Sequence, residues 1–366
     1  MFLALRELKH AKLRYLLIGF IMVLIAWLVL FVTGLAQGLA SDNASSIKNM
    51  KADYLVLEKE SDQRLSRSIL TEDNWKDIRQ SIGESSATPL GIQMTTLTRS
   101  QSSAKVDAAF FAIDTDHMLA PKVVEGNMLG KTKADEVLAD ISLKEEDFKL
   151  GDQVIDQASG KTFTIVGFTE GQSFSHAPVL HMNYEGWASI HPSDSKRGMF
   201  FNAVAIHADP NKADALVKKV GGIDVISKDQ ALKGIPGYKE EQGSLIMMIV
   251  FLFVIAAFVL AVFFYVITIQ KMNQFGVLKA IGAQSGYLAR NLIMQVLLLS
   301  VVSLLVSIGL TYGVAAVIGN RIPFDLPPSL VLVSAGLFLL VSLAGSLLSL
   351  YRVVKIDAIE AIGRAA

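Results

Sequence analysis

The sequence predicts an integral membrane protein of four transmembrane α-helices that carries a large mixed α+β extracytoplasmic domain. Two observations predict it. Of 366 residues, 52% are hydrophobic and only 19% charged, and the mean hydropathy is +0.44. A soluble domain carries about 25% charged residues. In addition, four stretches of membrane-spanning length hold no charge: Leu16–Ala36, Ser244–Ile269, Leu292–Gly319 and Leu330–Tyr351. A helix needs about 20 apolar residues to cross the hydrocarbon core, and in lipid a helix pairs every backbone group.

The elements follow in order. Residues 1–15 (MFLALRELKHAKLRY) place Phe2, Leu3, Leu5, Leu8 and Leu13 near one helical face, with Arg6, Lys9, Lys12 and Arg14 over the rest. That pattern is a basic amphipathic helix along the inner membrane surface, either an anchoring flank or a coupling element. The first span and its exit take residues 16–40. Gly38-Leu39-Ala40 has the small-x-small form of a cleavage site, but the apolar run exceeds the 7–15 residues of a signal peptide core, so the span is expected to stay. Residues 41–242 form the outer domain, 243–270 the second span, 271–290 a cytoplasmic segment and 291–319 the third span. A short outside loop at 320–329, a fourth span at 330–351 and a cytoplasmic tail at 352–366 complete the chain.

Basic residues set the orientation. Lys271, Lys279 and Arg290 lie between spans two and three, and Arg352, Lys355 and Arg364 lie in the tail. The loop between spans three and four holds only Arg321. Both termini and the middle segment are therefore expected in the cytoplasm, with residues 41–242 outside.

The outer segment reads as folded. Ala52–Glu58 alternates as a strand does, and Lys105–Asp114 and Phe200–His207 read as strands. Thr71 is an N-cap for a helix through Ile82, with Glu72 and Asp73 in its first turn. Gly151–Ile155 and Lys161–Phe168 flank Asp156–Gly160 as a hairpin. Ala213–Val220 reads as a short helix.

Several functions are excluded. No cysteine is present, which removes disulfides and thiolate chemistry. Lys+Arg and Asp+Glu both number 34, so no net charge directs the chain to nucleic acid. Gly130-Lys131-Thr132 and Gly160-Lys161-Thr162 end like a P-loop, but its first glycine falls at Glu125 and Ile155. The six histidines form no metal-binding pair of the H-E-x-x-H kind, so no metal site is expected. No G-x-S-x-G elbow occurs, and no catalytic residues are expected. No ion relay crosses the spans, since Gln295 is the strongest polar intruder. Gly309, Gly313, Ala315 and Ala316, and Ala344, Gly345 and Ser346, offer sites for close helix contact.

Lys271–Ala283 (KMNQFGVLKAIGA) resembles the coupling segment of MacB/FtsX-type ABC transporter permeases. The order of one span, an outer domain and three spans fits that family. So do the tail Arg352–Ile362 and, in the outer domain, Gly126–Leu129, Ala134–Ile141 and Leu150–Phe168. The N-terminal run, QFGVLKAIGA and Ile235-Pro236-Gly237-Tyr238 are most similar to the HrtB/DevC branch, which includes haem exporters. Two departures stand out: Gln274 replaces an acidic residue common in the family, and the chain is expected to be the separate-permease form, without the fused ATPase domain of MacB.

The resemblance implies a permease that is not itself an enzyme. It implies a homodimer in a bacterial cell membrane, with ATP on a separate ATPase present in two copies. It also implies mechanotransmission: Phe275, Gly276, Leu278, Lys279, Ala280 and Gly282, with Arg6 and Glu7, would receive the ATPase movement. No cofactor is expected to be resident; haem would be cargo. Haem iron takes His, Met, Cys or Tyr. Tyr238 at the outer face, with Glu58 or Glu60, would bind iron, and Met247 and Met248 follow on the same span. Tyr238 also reads as an interfacial aromatic anchor, and the methionines as lipid or packing residues. Exporters of antimicrobial peptides or antibiotics, lipoprotein-releasing permeases and FtsX-like regulators of cell-wall hydrolases share this architecture.

Overall fold

The computed structural model describes residues 12–100, 105–191, 198–319 and 322–354. The chain divides into two units, Leu39–Gln242 on one hand and Met1–Gly38 with Gly243–Ala366 on the other. Arg6, Glu7 and most of the N-terminal amphipathic segment lie outside the described residues, as does the tail from Lys355.

Four long helices carry the apolar stretches: α1 (Lys12–Lys48), α6 (Tyr238–Gln270), α8 (Ser285–Ile318) and α9 (Pro328–Val354). Each holds a segment long and apolar enough to cross a membrane. Leucine, isoleucine, phenylalanine and valine dominate their exposed faces, as lipid requires, while the buried face of α8 carries Asn291, Gln295, Ser300, Ser303, Ser307 and Thr311. Their shared core includes Met22, Ala26, Leu260, Phe264, Val296 and Phe338. Phe258 is 71% and Leu305 66% exposed, so apolar surface also points outward. The loop before α9 lies against α1: Asp325 N donates to Gly34 O (3.1 Å) and Phe324 stacks on Phe31. Gly34 and Gly38 permit this approach, because a Cβ on either would collide with Phe324 or Pro323.

The small-residue expectation holds for one helix only. A Cβ on Gly345 would meet the backbone of Ala261 at 3.1 Å, so α9 packs closely on α6 there. Gly309 and Gly313 are exposed and a Cβ on either meets nothing. Among the described residues neither makes a close contact.

The outer unit is a mixed α+β structure. Its strands are β1 (Tyr54–Glu58), β2 (Leu70–Thr71), β3 (Ala87–Arg99), β4 (Lys105–Ala112), β5 (Val123–Gly126), β6 (Glu136–Asp140), β7 (Gln153–Asp156), β8 (Thr162–Thr169), β9 (Ser173–Phe174), β10 (Ala177–Met182), β11 (Phe200–Phe201), β12 (Ala203–Ile206) and β13 (Ile223–Ser227). The main sheet runs β13-β1-β12-β3-β4-β10-β6-β8-β5, and β7 bridges β3 and β8. Pairing is antiparallel except for β10 with β4 and β6 with β8. The helices are α2 (Glu72–Ile82), α3 (Tyr184–Ile190), α4 (Pro210–Lys219) and α5 (Lys228–Lys233).

Period-two alternation builds the cores. In β1, Leu55 and Leu57 face one cluster with Phe111 and Ile226, while Val56 faces another with Ile78 and Leu216. In β4, Phe111 joins the first cluster and Phe110 a third, around Trp187 and Phe168. Thr71 caps α2 with a full capping box: its Oγ1 accepts from Asn74 N, and Asn74 Oδ1 accepts from Thr71 N. β7 and β8 pair antiparallel as a hairpin.

The strand expected over Phe200–His207 is divided. Phe200–Phe201 pairs with β2, and Ala203–Ile206 pairs with β1 and β3. Asn202 stands at the break. Its Oδ1 accepts from Ile92 N (2.7 Å) and its Nδ2 donates to Ser68 O (3.1 Å), while its backbone N donates to Leu90 O (2.9 Å). The short helix begins earlier than expected, because Pro210 suits a first helical turn.

Candidate functional site

The coupling segment folds as a distinct elbow. α6 ends at Gln270, and Lys271 takes φ −97°, ψ 0°. A short helix, α7 (Met272–Ala280), follows. Gly282 then turns the chain at φ +103°, a conformation that strains any residue with a Cβ. α8 begins three residues later.

Two anchors hold the elbow. Phe275 is buried against Leu288 and Leu292 of α8, flanked by Met272 and Leu278. Lys271 is the second anchor and is 5% exposed. Its Nζ donates to Gln295 Oε1 (3.2 Å) and lies 5.3 Å from the centre of the Tyr15 ring. Tyr15 OH also donates to Gln295 Oε1 (3.4 Å). One amide oxygen thus joins α1, α8 and the elbow. A buried ammonium is tolerable only when paired and hydrogen-bonded, and ring and amide supply that surrounding. Farther along α8, Ser303 Oγ donates to Gly19 O (3.3 Å) and Ser307 Oγ to Val23 O (2.9 Å).

The other face of the elbow is open. Val277 is 52%, Ile281 80% and Tyr287 55% exposed. Ala280 and Gln274 are exposed, Gly276 is buried, and Leu278 and Lys279 are half-buried. Phe275 and Gly276, expected to receive the ATPase movement, face inward, while Val277, Ile281 and Tyr287 face outward.

The outer unit holds the other predicted residues. Tyr238, the first residue of α6, is half-buried and packs on the core around Leu55 and Phe111. The carboxylates acting on it are Asp229 and Glu241. Glu58 is occupied elsewhere, its Oε2 accepting from Ile69 N (3.2 Å). Glu60 is exposed in a 3-10 turn. Met247 and Met248 are exposed on α6.

A contact that sequence reading missed lies beside Tyr238. His176 Nδ1 is 3.3 Å from Asp42 Oδ2, and its Nε2 is 3.2 Å from Glu241 Oε2. Asn43 Nδ2 donates to the same Glu241 oxygen (2.6 Å). The turn before β10 thereby ties residues 42–43 of α1 to residue 241 of α6. Ser175 and His176 both take positive φ to make this turn. No spacing rule links residues so far apart in sequence. For Lys271, the signal was present: a lysine directly after an apolar run, and a glutamine inside the next one.

Comparison with known proteins places this geometry. A family model for the MacB-like periplasmic core domain matches residues 17–221, and one for the FtsX-like permease C-terminal region matches residues 246–358. The chain is similar to a Staphylococcus haemolyticus (strain JCSC1435) protein named as a hemin transport system permease protein HrtB. The two are 36% identical over 361 residues, covering 99% of each. A protein of the same name from Staphylococcus epidermidis (strain ATCC 12228 / FDA PCI 1200) is 30% identical, again over 99% of both chains. The crystal structure of the periplasmic region of MacB from Actinobacillus actinomycetemcomitans aligns with a TM-score of 0.37 and 17% identity. That alignment covers 52% of this chain and 95% of that one.

The molecule is a polytopic membrane permease, a transport subunit with a large periplasmic-type domain. It belongs to the MacB/FtsX-type family of ABC transporter permeases.

Proposed function

We propose that the chain is the permease of a haem efflux pump that works by mechanotransmission, as a homodimer served by two copies of a separate ATPase. The observation that carries the cargo is full-length similarity to relatives named for hemin transport. Chemistry supports it. Tyr238 offers a phenolic oxygen for iron, and the apolar α6 that follows suits a flat, greasy macrocycle. Both termini and the elbow face the cytoplasm, by the distribution of basic residues, and residues 41–242 lie outside.

In this reading ATP is bound and hydrolysed on the partner chain, which grips the exposed Val277, Ile281 and Tyr287 of the elbow. Phe275 and Lys271 pass the movement into α8 and α1. The spans then pinch and expel cargo from the outer leaflet. Cargo must bind the open state better than the closed one for ATP to drive export.

The test is a haemin titration of the purified permease, read by its Soret band, with Tyr238→Phe alongside. A saturable shifted band in the wild type that the variant loses supports haem as cargo. A band identical to free haemin in detergent overturns it. Coupling is tested by Ala280→Trp, a change on an exposed position. ATP hydrolysis should continue in the reconstituted pump while export falls at least tenfold; normal export removes the elbow from the mechanism.

A further inference from the structure

The first long helix is broken inside the outer unit. Within α1, Ala44 takes φ −150° and ψ 19°, outside the helical region. A strap formed by residues 171–176, between β8 and β10, is bonded to both sides of the break. On the near side, Ser173 Oγ donates to Ser41 O (3.2 Å) and Ser175 N donates to Asn43 O (2.7 Å). On the far side, Ser45 Oγ accepts from Ser173 N (2.9 Å), and Asn49 Nδ2 donates to Gly171 O (3.1 Å). A kink in a helix has an identifiable cause, and an outside group inserted into its hydrogen-bond ladder is one. The strap brings two donors to the carbonyls beside Ala44.

The strap is both rooted and strained. Gln172 N donates to Asp140 Oδ2 (2.8 Å) at the end of β6, and the Phe174 ring meets Phe111 edge-on with centroids 5.6 Å apart. Ser175 and His176 take φ +53° and +60° in succession. The left-handed region is unfavourable for a residue with a Cβ and persists where surrounding bonds over-determine it. Asn43 and Ser45 are only 1% and 3% exposed. Buried polar groups need partners, and here the strap provides them. Through His176 the strap also meets Asp42 and Glu241, and Asn43 holds the same Glu241 oxygen. A pull on Glu241 of α6 therefore reaches the two residues just before the break.

We propose that Ala44 is a hinge in α1 and that residues 171–176 are the splint that sets its angle, with His176 linking the hinge to the start of α6. The splint bonds to residues 41 and 43 before the break and to residues 45 and 49 after it. Bending at Ala44 requires the splint to let go on one side. Relief of the two left-handed residues offsets part of the bonding lost when it does, which is the balance a two-position device needs. His176 is a positioning residue in this scheme. The inference does not rest on haem as cargo or on the ATPase, and it stands or falls apart from them.

The chain has no cysteine, so two spin labels can be placed without removing any. Leu28→Cys and Lys48→Cys put them on exposed positions of α1, one on each side of Ala44. Pulsed electron–electron distance measurement on the full-length permease in detergent then reads the hinge. One narrow distance is expected in the otherwise unchanged chain. Ser173→Ala with His176→Ala should broaden or move that distance by about 5 Å or more, one helical turn, while tryptophan fluorescence shows the outer domain still folded. If the double variant does not fold, His176→Ala alone carries the test, since that side chain is half exposed; the distance should then broaden less but measurably. The inference is overturned by a distance that the folded variant leaves unchanged. It is equally overturned by a distance already as broad with the splint intact.

Discussion

The outer domain and the membrane helices bury polar side chains in opposite ways. In the outer domain the bonds are long-range. Asn202 spans to Ile92 and Ser68, Asn183 holds the carbonyls of Gly130 and Lys133, and Asp140 accepts from Gln172 N. Among the helices most hydroxyls turn back on their own helix. Thr33 donates to Val29 O, Thr268 to Phe264 O, Thr311 to Ser307 O and Ser342 to Phe338 O. A side chain satisfied within its own helix loses nothing when that helix slides. One that bridges strands resists any relative movement. Ser303, which donates to Gly19 O, and Tyr15, which donates to Gln295 Oε1, are exceptions that cross between helices. The contrast suits a mechanical device, with a stiff body and more yielding helices.

The contrast yields graded expectations. The largest effect is expected for Asn202→Ala, which strands two buried backbone groups at about 1–3 kcal/mol each. The outer domain should lose roughly 2–6 kcal/mol, read by tryptophan fluorescence in denaturant. A loss under about 1 kcal/mol would mean that the domain is not stapled in this way.

His181 should produce the next effect, and it depends on pH. Its folded value lies near 3, below the ordinary 6.5. The unfolded chain therefore binds a proton first as pH falls. The contribution is fully present above about 6.5 and is lost as pH drops toward 3, at about 1.4 kcal/mol per unit. The pH dependence of stability in His181→Leu should be flatter by that slope between pH 6 and 4. Equal slopes would refute the burial of a neutral imidazole.

Smaller changes are expected among the helices. Ser307→Ala removes a hydroxyl shared between Val23 O on α1 and Ser303 O on its own helix, and interhelical bonds average about 0.6 kcal/mol. Thr311→Val removes only a bond within its own helix and should change stability by less than about 0.5 kcal/mol. Both are measurable by unfolding in mixed micelles of rising SDS content. A Thr311 effect larger than that of Ser307 would invert the argument.

Much of the fold was legible in local sequence. Four charge-free runs gave the membrane-capable helices, because lipid leaves the backbone no other partner. Thr71 with acidic residues after it gave a helix start, and alternation in Ala52–Glu58 gave β1. What stayed hidden is non-local. Nothing in Ala177–Met182 tells that β10 inserts between β4 and β6, since apolar residues stand on both faces and only His181 interrupts them. Asn202 did carry a signal: an amide inside an apolar run must find partners, and finding them divided the strand. The site was legible to the same degree. The coupling segment was readable as a segment, yet which residues face inward depends on Leu288 and Leu292. The bond from Tyr15 to Gln295 joins residues 280 apart in sequence, beyond the reach of any periodicity.

The position of β1 has a consequence for biosynthesis. Its neighbours in the sheet, β12 and β13, are made last in the domain: Tyr54 pairs with Ile206 and Ser227. At about 5–20 residues per second of synthesis, β1 waits roughly seven to thirty-five seconds for its partners. During that interval Leu55, Val56 and Leu57, all fully buried later, have no sheet to join. The newborn chain is then most open to chaperones and proteases. Slow codons between residues 58 and 203 would lengthen that exposure, so the pace of the ribosome sets how long this strand stays uncovered.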